Sequence, residues 1–374
     1  MIEHKVSNAG TRMRQKGPGS IFILNNYQHS GIGDFGNDLV TTLRELAIVT
    51  DVIETTDDWR GFIRPLWKII FAKGRLVLNI GLTAWGDSKI RNFLGFVWLG
   101  YVSFLRPATV ILHNLIEVVD TKDAGYKVGK ITVWGSRFVV KLLKRANFIV
   151  MSDRMQHELV SKYRIKPSAC LVSPCWVIPN NEIAKAEPPR VCTVGYIAPY
   201  KGVETFLKCA ETLRGRADFI MIGQPHRVLS SDARFKEWFV SIKELAKRAG
   251  VRMFGYLPKD DLMFELQRCC IGVLPYTSSS GASASFSTMA SAGLPVVSSD
   301  LHEFRFVKSN GAGIVIVPGH TTNEFAKFLE SLIANPILLA RLSSDQRTFA
   351  SNNSWTKFAN ELLRICGENA TGNP

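Results

Sequence analysis

A chain of 374 residues, 46% hydrophobic and 21% charged, can build roughly two or three packed domains, which excludes a disordered or fibrous polymer. Its formal net charge of +14 favours polyanionic partners such as phosphorylated substrates or anionic lipid. No Lys/Arg tract or basic–aromatic repeat accompanies the charge, so nucleic acid is not an expected partner.

In chain order, residues 1–20 are polar and basic (Lys5, Arg12, Arg14, Lys16) without an apolar run, so no secretory signal is expected. An apolar run at 21–25 predicts the first strand. Phe35, Leu39, Leu43 and Leu46 at helical spacing predict a helix over 35–46. Further strands are expected at 48–53, 76–80, 109–112 and 147–151, separated by helices at 62–71, 90–105, 132–145 and 154–163. The polar, proline-bearing segment 179–189 reads as a linker. The alternation then restarts, with strands at 190–194, 218–222, 251–254, 271–274, 296–297 and 313–317. Helices are expected at 202–213, 235–249, 259–268, 282–292, 322–335 and 355–365. Strands alternating with helices imply parallel sheets covered on both faces. The expected fold class is therefore α/β, with two doubly wound Rossmann-like domains, 1–180 and 188–350, facing across a cleft.

Residues 92–105 are apolar between Arg91 and Arg106, but about 14 residues cannot span a bilayer, which needs about 20. Two readings stay open: a buried helix covering a sheet, or a helix partly dipped into a membrane interface with help from Trp67, Lys68, Lys73 and Arg75. Residues 1–187 hold 25 Lys+Arg against 16 Asp+Glu (+9), and residues 188–374 hold 21 against 16 (+5). The seven cysteines form no C-x-x-C pair and have no histidines at ligand spacing, which suggests reduced thiols in a cytoplasmic protein and no metal site.

Four stretches carry chemistry. The most informative is 275–300, P-Y-T-S-S-S-G-A-S-A-S-F-S-T-M-A-S-A-G-L-P-V-V-S-S-D, a small-residue loop running into a helix that stops at Gly293. A loop of that kind can aim backbone N–H groups and a helix dipole at a phosphate; an ordinary serine-rich loop with a capped helix is the plainer alternative. Gly31–Gly36 matches G-x-G-x-x-G, with Asp51 and Glu54 about 20 positions on, as in a dinucleotide site. Residues 26–30 intervene, however, where that fingerprint begins almost at the strand end, so a glycine loop opening a helix onto the cleft fits better. His113 follows the strand at 109–112, where open α/β sheets place ligands, and Asn114, Glu117 and Asp120 lie close behind it. In G-Y-I-A-P-Y-K-G, Gly195 follows a strand and Lys201 opens a helix, where its charge can meet a phosphate.

Together, G-Y-I-A-P-Y-K-G-V-E-T, V-R-M-F-G-Y-L-P-K-D-D-L and S-S-G-A-S-A-S…A-G-L-P-V-V-S-S-D resemble the retaining nucleotide-sugar glycosyltransferases of the GT-B fold, family 4. The resemblance is specific over 190–300 and looser in the first half, through S-G-I-G, H-N and S-D-R…L-V-S-K-Y. It implies a second domain that binds the donor and a first domain that binds the acceptor. It also implies a last helix, within 351–374 and preceded by Trp355, that crosses back to the first domain.

The site residues implied are His113 and Lys201 for catalysis, and Gly195, Tyr256, Ser280, Gly281, Ala282, Ser283, Ala284 and Thr288 for the donor. Gly31, Gly33 and Asn114 would face the acceptor. Many relatives carry glutamates where Ser280 and Thr288 stand, and an arginine before the lysine that is absent here; Arg305 is a candidate substitute. No D-x-D occurs, so no metal or other cofactor is expected beyond the nucleotide sugar as substrate. The basic first half and the 92–105 segment point to a polyprenyl- or lipid-linked glycan acceptor and an anionic membrane surface, hence a cytoplasmic protein peripheral on the inner face of the membrane. The rivals are an NAD(P)-dependent oxidoreductase using Gly31–Gly36 and a non-catalytic nucleotide-sugar binder.

Overall fold

The computed structural model describes residues 20–25, 31–56, 58–71, 74–81, 88–118, 130–178, 186–225, 230, 232–278, 281–319 and 321–368. Runs of four to six residues, apolar in the main except for β2, form the strands of the first domain: β1 (Ile21–Asn25), β2 (Thr50–Glu54), β3 (Arg75–Ile80), β4 (Ala108–Leu112), β5 (Asn147–Val150) and the shorter β6 (Ala169–Cys170). Between them lie α1 (Gly31–Glu45), α2 (Trp59–Phe71), α3 (Lys89–Leu105), α4 (Lys130–Leu142) and α5 (Asp153–Glu158), the last continued by a π-helical turn, Leu159–Tyr163. All strand pairs are parallel, in the order β2-β1-β3-β4-β5-β6. The order reverses between β1 and β3, which opens a crevice at their carboxyl ends.

The second domain repeats the plan with β7 (Arg190–Val194), β8 (Asp218–Ile222), β9 (Arg252–Phe254), β10 (Ile271–Leu274), β11 (Val296–Ser299) and β12 (Ile314–Val317). Its helices are α6 (Val203–Thr212), α7 (Ala233–Ala249), α8 (Lys259–Gln267), α9 (Ala284–Ser291), α10 (His302–Ser309), α11 (Thr322–Ile333) and α12 (Pro336–Asn352). The sheet order β12-β11-β10-β7-β8-β9 reverses between β7 and β10. The two domains are thus both doubly wound parallel α/β units, and the expected fold class holds. Their cores are separate: β1, β3 and β4 are almost wholly buried in the first, and Phe206, Leu207 and Phe325 anchor the second.

A final helix, α13 (Trp355–Glu368), places Trp355, Phe358, Ala359, Leu362 and Ile365 in the core of the first domain, against α1. Two segments therefore join the domains, and they are tied together. Cys175 N–H donates to Asn353 O at 2.8 Å, Trp355 N–H donates to Cys175 O at 3.1 Å, and the rings of Trp176 and Trp355 lie 5.7 Å apart. Five of the seven cysteines, including Cys175, are buried, and all seven are thiols outside any disulfide.

Candidate functional site

In the second domain, the carboxyl ends of β7 and β10 meet at the switch point. Gly195 leaves β7 at φ +119°, and a Cβ there would lie 2.4 Å from Ser285 Oγ, so only glycine lets this strand end touch α9. A single 3₁₀ turn, Pro199–Lys201, follows and ends on Gly202 at φ +65°. The turn is pinned to the segment after β10, where Thr277 N–H donates to Tyr200 O at 2.9 Å. This places the Lys201 ammonium on Tyr276: Nζ donates to the phenol oxygen at 2.7 Å and lies 3.9 Å from the ring centre. Burial pulls the lysine's pKa down, but Tyr276, Tyr200 and the buried Glu303 outweigh it and hold the pKa above its ordinary value. Lys201 is therefore a fixed cation.

Beyond β10 the chain passes Gly281, at φ +119°, and enters α9. Ser283 caps the helix by accepting from Phe286 N–H at 3.3 Å, so α9 begins at Ala284, two residues later than the sequence suggests. Its dipole and first-turn N–H groups open toward the cleft. Thr288 Oγ1 donates to Ala284 O at 2.9 Å, which commits its proton to the helix and leaves its lone pairs as acceptors. Tyr256 stands 73% exposed after β9, a ring available at the cleft rim rather than a buried wall. Ser280 lies outside the described residues. Arg305 is not free to replace the missing arginine, because it is bound to Asp300 through two contacts of 2.6 and 2.7 Å. Two hydrogen bonds from one guanidinium to one carboxylate already neutralise it.

Across the cleft, the first domain presents His113 at the end of β4. Asn25 and Asn79 are register partners on β1 and β3, both fully buried, and they orient it. Asn25 Nδ2 donates to Gly33 O at 3.2 Å, and Asn79 Nδ2 donates to Ile32 O at 2.8 Å and to Asn25 Oδ1 at 2.7 Å. Because backbone carbonyls are fixed acceptors, they set which way both amides face. Asn79 Oδ1 is then left to accept from His113 Nε2 at 2.6 Å. His113 is thereby the Nε2–H tautomer with a lone pair on Nδ1. Desolvation lowers its pKa to about 3, so it is neutral near pH 7. Phe35 packs edge-on against the ring at 4.7 Å.

The same asparagines correct the reading of Gly31–Gly36 as a loop: α1 begins at Gly31, so the motif forms the first turns of the helix. The two amides hold the carbonyls of its first turn, and Gly36 is required because a Cβ would lie 1.9 Å from Asn25 Oδ1. Gly31 is exposed, whereas Gly33 is buried with its carbonyl on Asn25. Asn114 sits beside Gly81, whose added Cβ would lie 3.7 Å from Asn114 Nδ2.

The two halves touch at this point. A Cβ on Gly281 would lie 3.1 Å from His113 O, and Ala282 packs against the first-domain core. Farther out, His302 Nδ1 lies 3.3 Å from Asp153 Oδ1. Lys259 Nζ stands 2.9 Å over the Trp176 ring, beside Asp38, whose pKa is raised by burial. The structure thus gathers Gly195, Lys201, Gly281–Ala284 and Thr288 from one domain and His113 from the other. Sequence reasoning missed Asn25, Asn79, Tyr276 and Glu303. The first two had a signal, since Asn25 ends the apolar run of β1 on a buried amide and Asn79 interrupts that of β3 one residue before its end.

Residues 176–349 match the family model described as glycosyl transferases group 1. The D-inositol 3-phosphate glycosyltransferase of Rhodococcus erythropolis is 30% identical over 182 residues, 46% of this chain and 40% of that protein. The match therefore spans two fifths of the curated relative's length. Among solved structures, Anabaena HepE in complex with UDP superposes with a TM-score of 0.69 at 12% identity, covering 93% of this chain and 99% of that one. Sucrose-phosphate synthase from Thermosynechococcus elongatus gives 0.70 at 14% identity, covering 95% and 100%. These two likenesses concern the whole two-domain fold, whereas the family match falls on the domain that holds Lys201 and α9. The chain has the GT-B fold, and its second domain is similar in sequence to the group 1 glycosyl transferases.

Proposed function

We propose that the protein is a hexosyltransferase that moves a hexosyl group from a nucleoside diphosphate sugar to a lipid-linked glycan acceptor, with retention at the anomeric carbon. One observation carries the reading: the fixed Lys201 cation and the N-terminus of α9 converge at the β7/β10 switch point, opposite His113. That convergence is what a leaving diphosphate needs. As the bond from the anomeric carbon to the β-phosphate oxygen breaks, negative charge builds on that oxygen. Lys201 and the backbone N–H groups around Gly281–Ala284 stabilise the charge without reorganising. The chain has no D-x-D pair to hold a divalent cation, so we assign this charge to protein groups alone. His113, neutral and oriented by Asn79, offers an Nδ1 acceptor to a sugar hydroxyl. Thr288, with its proton committed to the helix, accepts from a ribose hydroxyl in place of the usual carboxylate. Tyr256 at the rim contributes to the base pocket, and Gly31 and Asn114 face the acceptor.

The family model and the curated relatives support glycosyl transfer, and the HepE complexes with UDP and with UDP-glucose are consistent with a sugar-nucleotide donor. The acceptor rests on the +9 charge of the first 187 residues, counted from the sequence. We place the protein on the cytoplasmic face of the membrane. The test is nucleoside diphosphate release with polyprenyl-phosphate-linked and water-soluble acceptors, with the product anomer read by NMR. Release that needs the lipid-linked acceptor and gives the donor's own anomer supports the proposal. An inverted product, or donor binding with no release under any acceptor, contradicts it.

A further inference from the structure

The first domain carries a surface that the transfer site does not use. Among the described residues, thirteen of the twenty exposed large apolar side chains lie on α2, α3 and α4, three adjacent helices on one side of the sheet. On α2, Trp59, Ile63, Trp67 and Phe71 recur every four residues and are 51–76% exposed. On α3, the inner stripe of Phe96, Leu99 and Val102 is buried in the core, while Leu94, Val97, Tyr101 and Leu105 face outward. On α4, Trp134 and Phe138 stack at 5.6 Å, and Phe138 stacks on Phe93 of α3 at 6.3 Å. The rings of α2 and α3 are joined through Trp67 and Trp98 at 6.5 Å. The result is one continuous aromatic face. Helix α3 is apolar on both sides because one side covers the sheet and the other is bare.

The charge of this face decides what covers it. Helices α2, α3 and α4 together hold eight Lys and Arg residues and no Asp or Glu. One of the eight, Arg137, is paired with Glu117. Just beyond α4, Arg145 lies over the Phe104 ring at 3.9 Å, which extends the cationic rim. A second copy of the chain would bring this face against itself and oppose like charges with no carboxylate between them. An anionic bilayer supplies the missing charge, and tryptophans flanked by lysines suit the boundary between headgroups and acyl chains. No described helix is long and apolar enough to cross a membrane, so the face lies on the bilayer rather than through it.

We infer that the α2–α3–α4 face docks the protein onto an anionic lipid surface. It does so by inserting Trp67, Trp134 and their apolar neighbours to about 5–10 Å while the basic rim meets the headgroups. This deepens the lipid-linked acceptor reading and rests on it only for its purpose. Docking is measured without donor or acceptor, so its failure and the failure of transfer are separate results.

The test uses the full chain and phosphatidylcholine vesicles with or without about 30% phosphatidylglycerol, a proportion that sets an anionic surface potential. Flotation at low salt is expected to recover the protein with the anionic vesicles only, and salt of about 1 M, where the Debye length falls to about 3 Å, to release most of it. Brominated acyl chains are expected to quench its tryptophan fluorescence. Lys68→Glu with Lys141→Glu should weaken binding by at least about 25-fold, from roughly fivefold per lysine. Trp67→Ser with Trp134→Ser should abolish the quenching. Both pairs are solvent-facing and away from the cleft, so thermal unfolding, with and without a sugar nucleotide, should not change. Equal binding to neutral vesicles, no binding to anionic vesicles at low salt, or unaltered binding of the charge-reversed variant would overturn the inference. A concentration-dependent dimer dissolved by the tryptophan substitutions would assign the face to a second copy and overturn it equally.

Discussion

Acidification should destabilise the first domain through His113, and the size of the effect follows from its surroundings. Desolvation lowers the folded-state pKa to about 3, from an ordinary value of 6.5 that the unfolded chain recovers. A histidine with a depressed folded pKa contributes stability that is fully present above 6.5 and is lost as pH falls toward 3, because the unfolded chain takes up the proton first. Between pH 7 and pH 5 the loss is about 2 kcal/mol, an upper value for one buried imidazole. The assay is urea unfolding of wild type and His113→Gln at both pH values. Glutamine keeps an N–H donor for Asn79 Oδ1 but does not titrate. It also loses the Phe35 ring contact, which shifts its stability by the same amount at every pH. Subtracting the variant's pH response from that of wild type isolates the histidine. If both proteins lose the same stability on acidification, His113 is not desolvated as described and the tautomer argument fails with it.

Other consequences are sharper at the β7/β10 switch point. Tyr276→Phe removes the oxygen that holds Lys201 Nζ but keeps the ring beneath it, so turnover should fall by about tenfold through loss of one charged hydrogen bond. Lys201→Ala should cost more, on the order of a hundredfold to a thousandfold in kcat, as removal of a preorganised charge partner does. Equal losses for the two would mean that the tyrosine acts in its own right rather than through the lysine. Gly202→Ala should destabilise the second domain by at least about 2 kcal/mol in urea, since alanine at positive φ is strained. Its Cβ would also lie 1.8 Å from Pro275 O. A neutral result there would show that the turn can shift without cost.

Much of the architecture was legible because the strands are plain apolar runs. The runs at 21–25, 190–194, 218–222 and 271–274 are strands with those same bounds. Helix α12 was missed because only Gln346, Phe349 and Ala350 of its 17 residues are buried, which leaves a weak apolar period. Helix α10, H-E-F-R-F-V-K-S, went unassigned because its eight residues are too few to set up a clear apolar period. Gly31–Gly36 looked like a loop because three glycines dominate its composition. What makes it helical lies on β1 and β3, in two asparagine amides that no local rule can see. The donor side was read through its lysine and its small-residue helix start. The contacts that fix them, Lys201 on Tyr276 and Gly195 against Ser285 of α9, cross the switch point. A tertiary contact of that kind leaves no spacing in the sequence. The outward face of α3 was ambiguous for the same reason, since an apolar segment alone does not say which of its sides is covered.

The central claim is that the β7/β10 switch point binds the diphosphate of a sugar nucleotide. Thermal unfolding of wild type and Lys201→Ala, run against UDP-, GDP- and ADP-sugars and against NAD(P), tests it most directly. Saturating one of the sugar nucleotides at a hundred times its Kd should stabilise wild type by about 2.7 kcal/mol, and the variant by much less at the same concentration. Stabilisation by NAD(P) alone, or equal stabilisation of both proteins by a sugar nucleotide, would contradict it.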